Sequence, residues 1–541
     1  MTDSESVRLT PPTLPADGSA QQERPAGDES RPLRPWPAQG PARDVTRILG
    51  WTAVVALASS LALMVAASLA RQAWMYPQLK LPASGFPWAA TGWHAPKKLV
   101  VVGVLVSGLL AGIGLIAGLE AVRRGARAPI RLILIAAALV VAVLAVLPPA
   151  GSTDALDYAS YGRLLVLGYN PYVLTPHAIQ LADPGFATAV PGLWKDQVSL
   201  YGPAATFEQY LAARLGGDSP ARIVAWLKLW NAVPFAAVAY VADRIFRQDP
   251  ARRLRAHLLW TANPLLIWDV IAAGHVDVIA AGFGVLGVLV VRPQKPGMTH
   301  SLLRAAAAGA LIGAAADFKI NYLAFGLGVA WVLRRRPLAV AAAAAGGLAV
   351  LAPTYAWFGA PAITALFAQR NMSAVDSFYR LLDLNLPPYQ AYVGIAAIAL
   401  VGAMAILLMW RLPVGDALHP AVRPSLALSL AWLFLWPYQL PWYDTMAICL
   451  LLFYPASHLD WLVIARMTIA TLANMPGNPQ LPPGPVLTWI DQFDVHQLTP
   501  TVLGVAVVAL IVLAVTNRWG MREDAAVTTV GAPGLIKPRK W

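Results

Sequence analysis

Long apolar segments recur along most of the chain, with short polar loops between them. About fourteen of them approach the roughly 17–25 residues that an α-helix needs to cross the hydrocarbon core of a bilayer. They lie near residues 48–70, 98–119, 132–149, 221–242, 256–272, 275–292, 304–317, 319–333, 338–358, 389–410, 424–440, 442–456, 459–473 and 499–516. This pattern predicts an all-α fold, a polytopic membrane helix bundle of about 12–14 transmembrane helices. The shorter neighbouring pairs also fit re-entrant or broken helices.

The two ends of the chain have a different character. Residues 1–45 are rich in Pro, Ser, Asp, Glu and Arg, and residues 518–541 are similar. Segments of this kind bury too little apolar surface to offset the entropy that is lost on ordering. We therefore predict a disordered tail on either side of a single transmembrane domain, residues 46–517.

The charged residues fit a membrane protein and argue against a nucleic-acid partner. Only 13% of the residues are charged, whereas soluble domains contain about 25%. Although the net charge is +13, the Lys and Arg residues cluster in short loops, as they do on the cytoplasmic side of membrane proteins. Arg123–Arg124 and Arg334–Arg336 are examples, and every such cluster is cytoplasmic if both termini are. The longer loops on the outer face of the plasma membrane are then 71–97, 150–220, 359–388 and 474–498.

Polar residues that a membrane disfavours collect at these outer turns. The loop 150–220 directly follows an apolar segment and begins with Asp154 and Asp157. We expect this loop to contain short interfacial helices. The other candidates occupy three further outer turns, namely His275 with Asp277, Lys319, and Trp442 with Tyr443.

Each candidate also has a purely structural interpretation. Asp154 and Asp157 have the spacing of a helix cap and its capping box. His275 and Asp277 could form a polar pair in a turn at the aqueous boundary. Lys319 could extend its side chain to the interface, and Trp442 and Tyr443 could belong to an interfacial aromatic belt. The convergence of chemically different groups on one side of the membrane favours a functional site.

These groups suit the transfer of a sugar from a lipid carrier. An acceptor hydroxyl needs a carboxylate base, and a phosphate leaving group needs cations or hydrogen-bond donors. The sequence has neither a glycine-rich phosphate loop nor the strand–helix alternation of a nucleotide-binding fold. It also lacks the HExxH, paired CxxC and EF-hand motifs of metal sites. We therefore expect a polyprenyl-phosphate sugar donor, with no cofactor and no metal.

The loop motif resembles that of a known family. Its Ser152, Asp154, Tyr158, Tyr161–Leu164, Gly168 and Asn170–Tyr172 follow the pattern SxDxxxYxxYGRLxxxGxNPY. This pattern is similar to the first outer-loop signature of actinobacterial polyprenol-phosphomannose-dependent α-1,6-mannosyltransferases, which are GT-C glycosyltransferases. Later matches follow in the same order at Tyr201–Pro203, Asn263–Leu265, Gly274–Asp277, Ala316–Lys319 and Trp436–Tyr443. Val276 departs from the family pattern by replacing an Asn.

The resemblance implies a GT-C bundle that transfers mannose with inversion, from polyprenyl-phosphate-mannose to a glycan or glycolipid. It implies that Asp154 is the general base, while Asp157, on about the same helical face, orients the acceptor or raises the pKa of Asp154. The candidates for binding the donor phosphate are, in order, Lys319, His275 and Arg163. The candidates for binding the sugars are Tyr158, Tyr161, Asn170, Tyr172, Tyr201, Asp277, Trp442 and Tyr443.

Three other functions remain open at the level of sequence. A transporter or lipid flippase would also have many spans with polar groups inside them, but we find no internal repeat. A GT-C enzyme could instead use another lipid-linked sugar, such as arabinofuranose. A non-catalytic scaffold is the weakest alternative, because it needs no ionisable groups gathered on one side.

Overall fold

The computed structural model describes residues 40–70, 95–183, 186, 192–291, 300–368, 372–374, 376–382, 387–413, 420–474, 488 and 490–520. The α-helices are α1 (Gly40–Leu69), α2 (Lys97–Arg123), α3 (Ile130–Val146), α4 (Asp154–Val166), α5 (His177–Ala182), α6 (Pro203–Gly216), α7 (Pro220–Ile245), α8 (Pro250–Leu259), α9 (Pro264–Ile267), α10 (Asp277–Val290), α11 (His300–Phe318), α12 (Leu323–Leu333), α13 (Pro337–Phe358), α14 (Ala360–Ala368), α15 (Pro387–Arg411), α16 (Val422–Leu435), α17 (Thr445–Leu451), α18 (His458–Asn474) and α19 (Thr499–Thr516). These residues contain no β-strand, which confirms the predicted all-α fold.

The apolar helices confirm a membrane protein. Among the described residues, six helices are long and apolar enough to cross a membrane. They are Asp44–Leu69, Lys98–Arg123, Pro220–Ile245, Pro337–Phe358, Tyr392–Arg411 and Gln492–Thr516. The other predicted spans also contain helices, but shorter ones, such as α3, α12 and α16. The paired segments 256–272 and 275–292 form a broken pair, because Pro264–Ala272 and Asp277–Val290 differ in direction by 113°.

Local sequence signals explain where the helices around this bend begin and end. Ser219, Asp249 and Asn263 precede α7, α8 and α9, and each side chain accepts a hydrogen bond from a backbone N–H of the first turn. Each of these helices then begins with proline, which has no N–H to leave unpaired. The π-helical segment Trp268–Ala272 ends before Gly274, whose φ of +83° suits glycine. The bend therefore places residues 275–277 at a turn.

The predicted loop 150–220 is largely helical and has its own small core. It contains α4, α5 and α6, which are short helices as expected. Buried residues such as Tyr158 and Leu164 of α4 pack with Ile223 of α7. Close packing of α4 on α6 requires Gly162, since a Cβ there would overlap the Gln209 carbonyl. This packing fixes the position of α4 beside the membrane-spanning helices.

The predicted tails lie mostly outside the described residues. Residues 1–39 and 521–541 are not among them, so their predicted disorder remains a prediction. The helix α1 begins at Gly40, five residues before the predicted end of the first tail. At the other end, the indole of Trp519 is buried and donates a hydrogen bond to the Arg411 carbonyl at 2.7 Å.

Candidate active site

A tightly fixed turn between α3 and α4 presents Asp154. The Nζ of Lys228, on α7, donates a hydrogen bond to the carbonyl of Leu147 at 2.7 Å and so holds the end of α3. Gly151 follows with a φ of +91°, and a Cβ there would overlap the indole of Trp268. Asp154 is then the first residue of α4, and 19% of its side chain is exposed. The carboxylate is thus held in place yet remains partly accessible.

The carboxylate of Asp154 contacts side chains rather than capping α4. Ser152 Oγ donates to its Oδ1 at 3.1 Å, and the hydroxyl of Tyr158 lies 3.5 Å from its Oδ2. His275 Nδ1 is 3.6 Å from the same oxygen. The backbone N–H of Asp154 donates to Ser152 Oγ at 3.1 Å, so the first N–H of α4 is satisfied by Ser152 and not by the carboxylate of Asp154. Thr153, the residue before α4, makes no side-chain cap hydrogen bond, and Asp157 Oδ1 has no hydrogen-bond partner within the described ranges. The structure therefore does not support the cap and capping-box interpretation.

The hydroxyl of Tyr158 connects Asp154 to two further candidates. It lies 3.0 Å from the hydroxyl of Tyr201 and 3.2 Å from Nδ1 of His275. The rings of the two tyrosines meet edge to face, with 4.9 Å between their centroids. The sequence motifs near residues 154, 201 and 275 therefore meet at one point.

His275 is fully enclosed. Its ring stacks on that of Trp442, with 3.6 Å between the ring centroids and 15° between the planes. The amide of Asn231 on α7 donates to the carbonyls of Val270 and His275, at 3.0 Å each, and fixes the backbone. The Nε2 atom of His275 is buried and has no hydrogen-bond partner in the described part of the chain. This enclosure suits a positioning role better than the predicted contact with a phosphate.

Lys319 forms an ion pair with Asp277 beside this centre. Its Nζ lies 2.8 and 2.7 Å from the two carboxylate oxygens of the fully buried Asp277. The same ammonium is 3.9 Å from the centroid of the Tyr443 ring, a cation–π distance. The side chain of Lys319 is 11% exposed. An ammonium has three N–H donors, of which Asp277 occupies two, and within the described residues the third has no hydrogen-bond acceptor and is left for a ligand.

The aromatic candidates at 442 and 443 are buried, at 5% and 7% exposure, and not part of an exposed belt. Trp442 stacks on His275, as described above, and Tyr443 lies under Lys319. Asp444 follows them and pairs with Arg466, and both side chains are buried. The segment Pro441–Asp444 thus packs against both His275 and Lys319.

Three predicted sugar-binding residues are used to shape the loop. The hydroxyl of Tyr161 donates to the carbonyl of Gln197 at 3.0 Å. Asn170 Oδ1 accepts a hydrogen bond from the backbone N–H of Tyr172 at 2.9 Å. The hydroxyl of Tyr172 in turn donates to the carbonyl of Tyr201 at 2.8 Å. Tyr172 thus holds the backbone of Tyr201, whose side chain meets Tyr158, while Asn170 and Tyr161 hold neighbouring parts of the loop.

Arg163 lies near the far end of α4 and is engaged elsewhere. Its guanidinium pairs with Asp183 at 2.5 Å and with Asp218 at 2.6 Å. The carboxylates of two different loops thus neutralise it. The structure therefore groups Arg163 with these loops, whereas Asp154, His275 and Lys319 gather together.

Burial and neighbouring charges distinguish the two carboxylates of α4. Burial raises the pKa of Asp154 to about 6, against the hydrogen bond from Ser152 and the positive charge of Lys319. A carboxylate with this pKa is largely ionised at neutral pH and is a stronger base than an ordinary aspartate. Burial, and then the charge of Asp154, raises the pKa of Asp157 well above its usual range. Asp157 therefore retains its proton more readily than an ordinary aspartate.

Sequence reasoning missed two buried polar residues of α7 that organise the site. Lys228 holds the end of α3, and Asn231 holds the backbone of His275. Both lie inside an apolar segment, where polar side chains are costly. Polar residues inside an apolar segment were therefore the signal by which the sequence could have identified Lys228 and Asn231. Their hydrogen bonds show that they position the backbone around the site.

Both a family profile and individual proteins with similar sequences indicate the same protein family. A profile described as "Alpha-(1->6)-mannopyranosyltransferase, N-terminal domain" matches residues 47–336, more than half of the chain. A probable alpha-(1->6)-mannopyranosyltransferase of Mycolicibacterium smegmatis is 25% identical over 160 residues, 28% of this chain and 29% of that protein. An alpha-(1->6)-mannopyranosyltransferase of Mycobacterium tuberculosis is 25% identical over 145 residues, 27% of this chain and 24% of that protein. The matches thus span less than a third of these curated relatives.

No solved structure matches the chain. The family match covers α4, α6, α7, α10 and Lys319, and so includes most of the site described above. The relatives in the two mycobacterial species carry the same family description. The chain therefore belongs to the alpha-(1->6)-mannopyranosyltransferase family, whose N-terminal domain it carries at residues 47–336.

Proposed function

We propose that this chain is an inverting membrane mannosyltransferase. It transfers mannose from polyprenyl-phosphate-mannose to a hydroxyl of a glycan or glycolipid, in an α-1,6 linkage. The observation that carries the proposal is the placement of a partly exposed carboxylate, Asp154, 3.6 Å from His275, two residues from the Asp277 that pairs with Lys319, in a member of this family. The family supports mannose as the sugar, and the geometry supports Asp154 as a base and Lys319 as a cation.

In the proposed reaction Asp154 is the general base. The acceptor oxygen forms a bond to the anomeric carbon while the bond from that carbon to the phosphate oxygen breaks. The proton of the acceptor hydroxyl moves to the Asp154 carboxylate, and the electron pair of the broken bond goes to the phosphate. A pKa of about 6 leaves Asp154 ionised but basic at neutral pH, as this step requires. Attack opposite the leaving group converts a β-linked donor into an α-linked product.

Lys319 is our candidate for the leaving phosphate. Charge develops on the phosphate oxygen as the bond breaks, and a fixed cation stabilises it without reorganising. Asp277 and Tyr443 hold the ammonium in one place, and one N–H remains for the phosphate. In this proposal Asp277 positions Lys319 rather than contacting a sugar.

His275 and Tyr158 position the base. The stack on Trp442 fixes the imidazole, which then fixes the hydroxyl of Tyr158 next to Asp154. This assigns His275 a role different from the phosphate contact expected from the sequence. Arg163 has no place in the proposed reaction because Asp183 and Asp218 engage it.

The distribution of basic loops suggests the membrane face. If both termini are cytoplasmic, the Arg clusters lie inside and the turn before α4 lies outside. The donor phosphate and the acceptor would then meet at the outer surface of the plasma membrane. Labelling of single cysteines placed near residues 152 and 335 in intact cells tests this orientation, and the first alone should react.

The proposed activity can be tested with purified protein in lipid vesicles. The donor is radiolabelled polyprenyl-phosphate-mannose, and the acceptors are an α-mannoside and its 6-deoxy analogue. We expect label to enter the mannoside in an α-1,6 linkage and the 6-deoxy control to remain unlabelled. Preference for polyprenyl-phosphate-arabinofuranose would overturn the choice of sugar. Absence of transfer from every lipid-linked sugar would overturn the enzyme class.

A further inference from the structure

A buried ion pair joins α18 to the segment that lies behind Lys319. Arg466 of α18 pairs with Asp444, and the two side chains are only 3% and 0% exposed. Nη1 of Arg466 donates to Oδ2 of Asp444, and the guanidinium lies over the ring of Phe434 on α16, 5.6 Å from its centroid. Within the described residues, the other carboxylate oxygen of Asp444 has no hydrogen-bond partner. Asp444 therefore depends on Arg466 for the compensation of its buried charge.

Asp444 is the last residue of the segment Pro441–Asp444, which reaches the catalytic centre. The residue before it, Tyr443, lies under the ammonium of Lys319, with 3.9 Å between the nitrogen and the centroid of the ring. The ion pair thus holds the residue next to the ring that supports the ammonium. A change at Arg466 should therefore displace this ring.

The ammonium of Lys319 needs such support more than the imidazole of His275 does. It stands at the end of a flexible four-carbon stem, and its contacts with Asp277 and Tyr443 select one position. His275 has a short side chain, and Asn231 fixes its backbone. Displacement of the Tyr443 ring should therefore move Lys319 more than His275.

We propose that Arg466 is a positioning residue of the catalytic centre, which fixes Tyr443 through Asp444 and thereby fixes the ammonium of Lys319. The inference rests on the proposed function and adds a residue from beyond the family profile, which ends at residue 336. The helices α16–α18 then complete a site whose base and cation lie within the matched residues. The effect on catalysis is large because a displacement of about 1 Å can cost about 10²-fold in rate.

A second buried Arg–Asp pair on α18 provides the matched control. Arg255 of α8 pairs with Asp460 of α18, and these side chains are 5% and 2% exposed. Arg466→Met with Asp444→Asn removes the first pair without leaving a buried charge, and Arg255→Met with Asp460→Asn does the same for the second. Both double variants should lose thermal stability to a similar extent. Only the first should lower kcat, by about 10–100-fold.

A coupling measurement separates positioning from a general structural role. In a Lys319→Met protein, the group that Arg466 positions is absent, so Arg466→Met with Asp444→Asn should cost less than about threefold in kcat. Full loss of kcat in that background would overturn the proposal, because independent effects add. Equal losses in the Arg466 and Arg255 double variants would also overturn it.

Chemical labelling of Lys319 measures its position without sugar transfer. Formaldehyde and cyanoborohydride methylate accessible amines, and the exposed Lys195 serves as the internal reference in mass spectrometry. Arg466→Met with Asp444→Asn should label Lys319 about threefold faster than the wild type, because the cation–π contact is lost, whereas the Arg255 control should not. Unchanged labelling would overturn the proposal. Faster labelling in a protein that transfers no mannose would overturn the proposed function but keep the positioning of Lys319 by Arg466.

Discussion

Two buried groups of charges in this molecule differ in how fully their hydrogen-bonding capacity is used. In the first, which we call the Arg255 cluster, Arg255 of α8 donates to both carboxylate oxygens of Asp460 on α18, at 2.7 and 2.6 Å. It also donates to the carbonyls of Tyr454 and Leu451. Both charged side chains are almost completely buried. The guanidinium and the carboxylate therefore have little capacity left for a ligand.

The group around Asp154 also contains ionisable side chains in the interior, but their pairing is incomplete. Asp154 is partly exposed, and its contacts with Tyr158 and His275 are long, at 3.5 and 3.6 Å. In the part of the chain that the structure describes, Lys319 keeps one N–H beyond its pair with Asp277. Within the described residues, His275 Nε2 has no hydrogen-bond partner.

The difference separates structural charges from functional ones. A buried charge with every partner supplied holds helices together, and removing one partner leaves the other charge uncompensated. A charge with spare capacity at an accessible place can act on a ligand. Composition alone cannot make this distinction, because both groups are ionisable residues near apolar segments. Substitutions in each group test whether this distinction holds.

The largest effect on stability is expected in the Arg255 cluster. Arg255→Leu leaves the carboxylate of Asp460 buried without its partner and should lower the free energy of unfolding by about 3–5 kcal/mol. Thermal unfolding in detergent measures this cost. The control is Arg252→Leu on the same helix, where a more exposed pair with Asp249 is worth less than about 1 kcal/mol. Equal, small losses in the two variants would contradict a structural role for the cluster.

The Lys319 pair should separate stability from activity. Lys319→Met is expected to lower kcat by about 10²–10³, the usual effect of removing a group that stabilises a developing oxyanion. It should also destabilise the fold because Asp277 loses its partner. Adding Asp277→Asn should restore the melting temperature but not the transfer rate. Recovery of transfer in the double variant would show that Lys319 is structural.

His275 should have an intermediate effect that decides between two roles. His275→Phe keeps the stack on Trp442 but removes the contact of Nδ1 with Tyr158. Loss of one buried hydrogen bond should lower kcat by about tenfold while KM for the donor stays constant. The test is steady-state kinetics with the lipid-linked donor. A raised donor KM with an unchanged kcat would instead support the contact between His275 and the donor phosphate that the sequence predicts.

Asp157 should have the smallest effect, and the pH profile tests it. In the wild type, kcat/KM should fall as the pH drops through about 6, since protonated Asp154 cannot accept a proton. Because burial and the charge of Asp154 raise the pKa of Asp157 and favour its protonated form, Asp157→Asn should change the rate by less than about threefold and leave the acid limb in place. A shift of that limb by about one unit would show that the two carboxylates titrate together.

Much of the fold followed from the sequence because hydrophobic length is a strong signal. Each predicted span contains a helix, including both sides of the bend near Gly274. Helix lengths were less predictable. The segment 442–456, for example, is divided between a 3₁₀ turn and the short α17. Tertiary packing of buried polar groups, rather than hydropathy, sets these breaks.

The site was predictable in location but not in detail. The motifs around Asp154, His275 and Lys319 are far apart in the chain, and the structure brings them together. The sequence could not show that Asp183 and Asp218 engage Arg163, because such pairing depends on how two loops fold. Nor could it show that stacking encloses His275.

The central claim is that Asp154 is the base, and Asp154→Asn tests it most directly. The variant keeps the size of the side chain and its contact with Ser152, so thermal unfolding and binding of polyprenyl-phosphate-mannose should be unchanged. Single-turnover transfer to the α-mannoside should fall by at least about 10³-fold, near the upper range for general-base catalysis. Transfer within tenfold of the wild type, by a folded variant that binds donor normally, would contradict the claim.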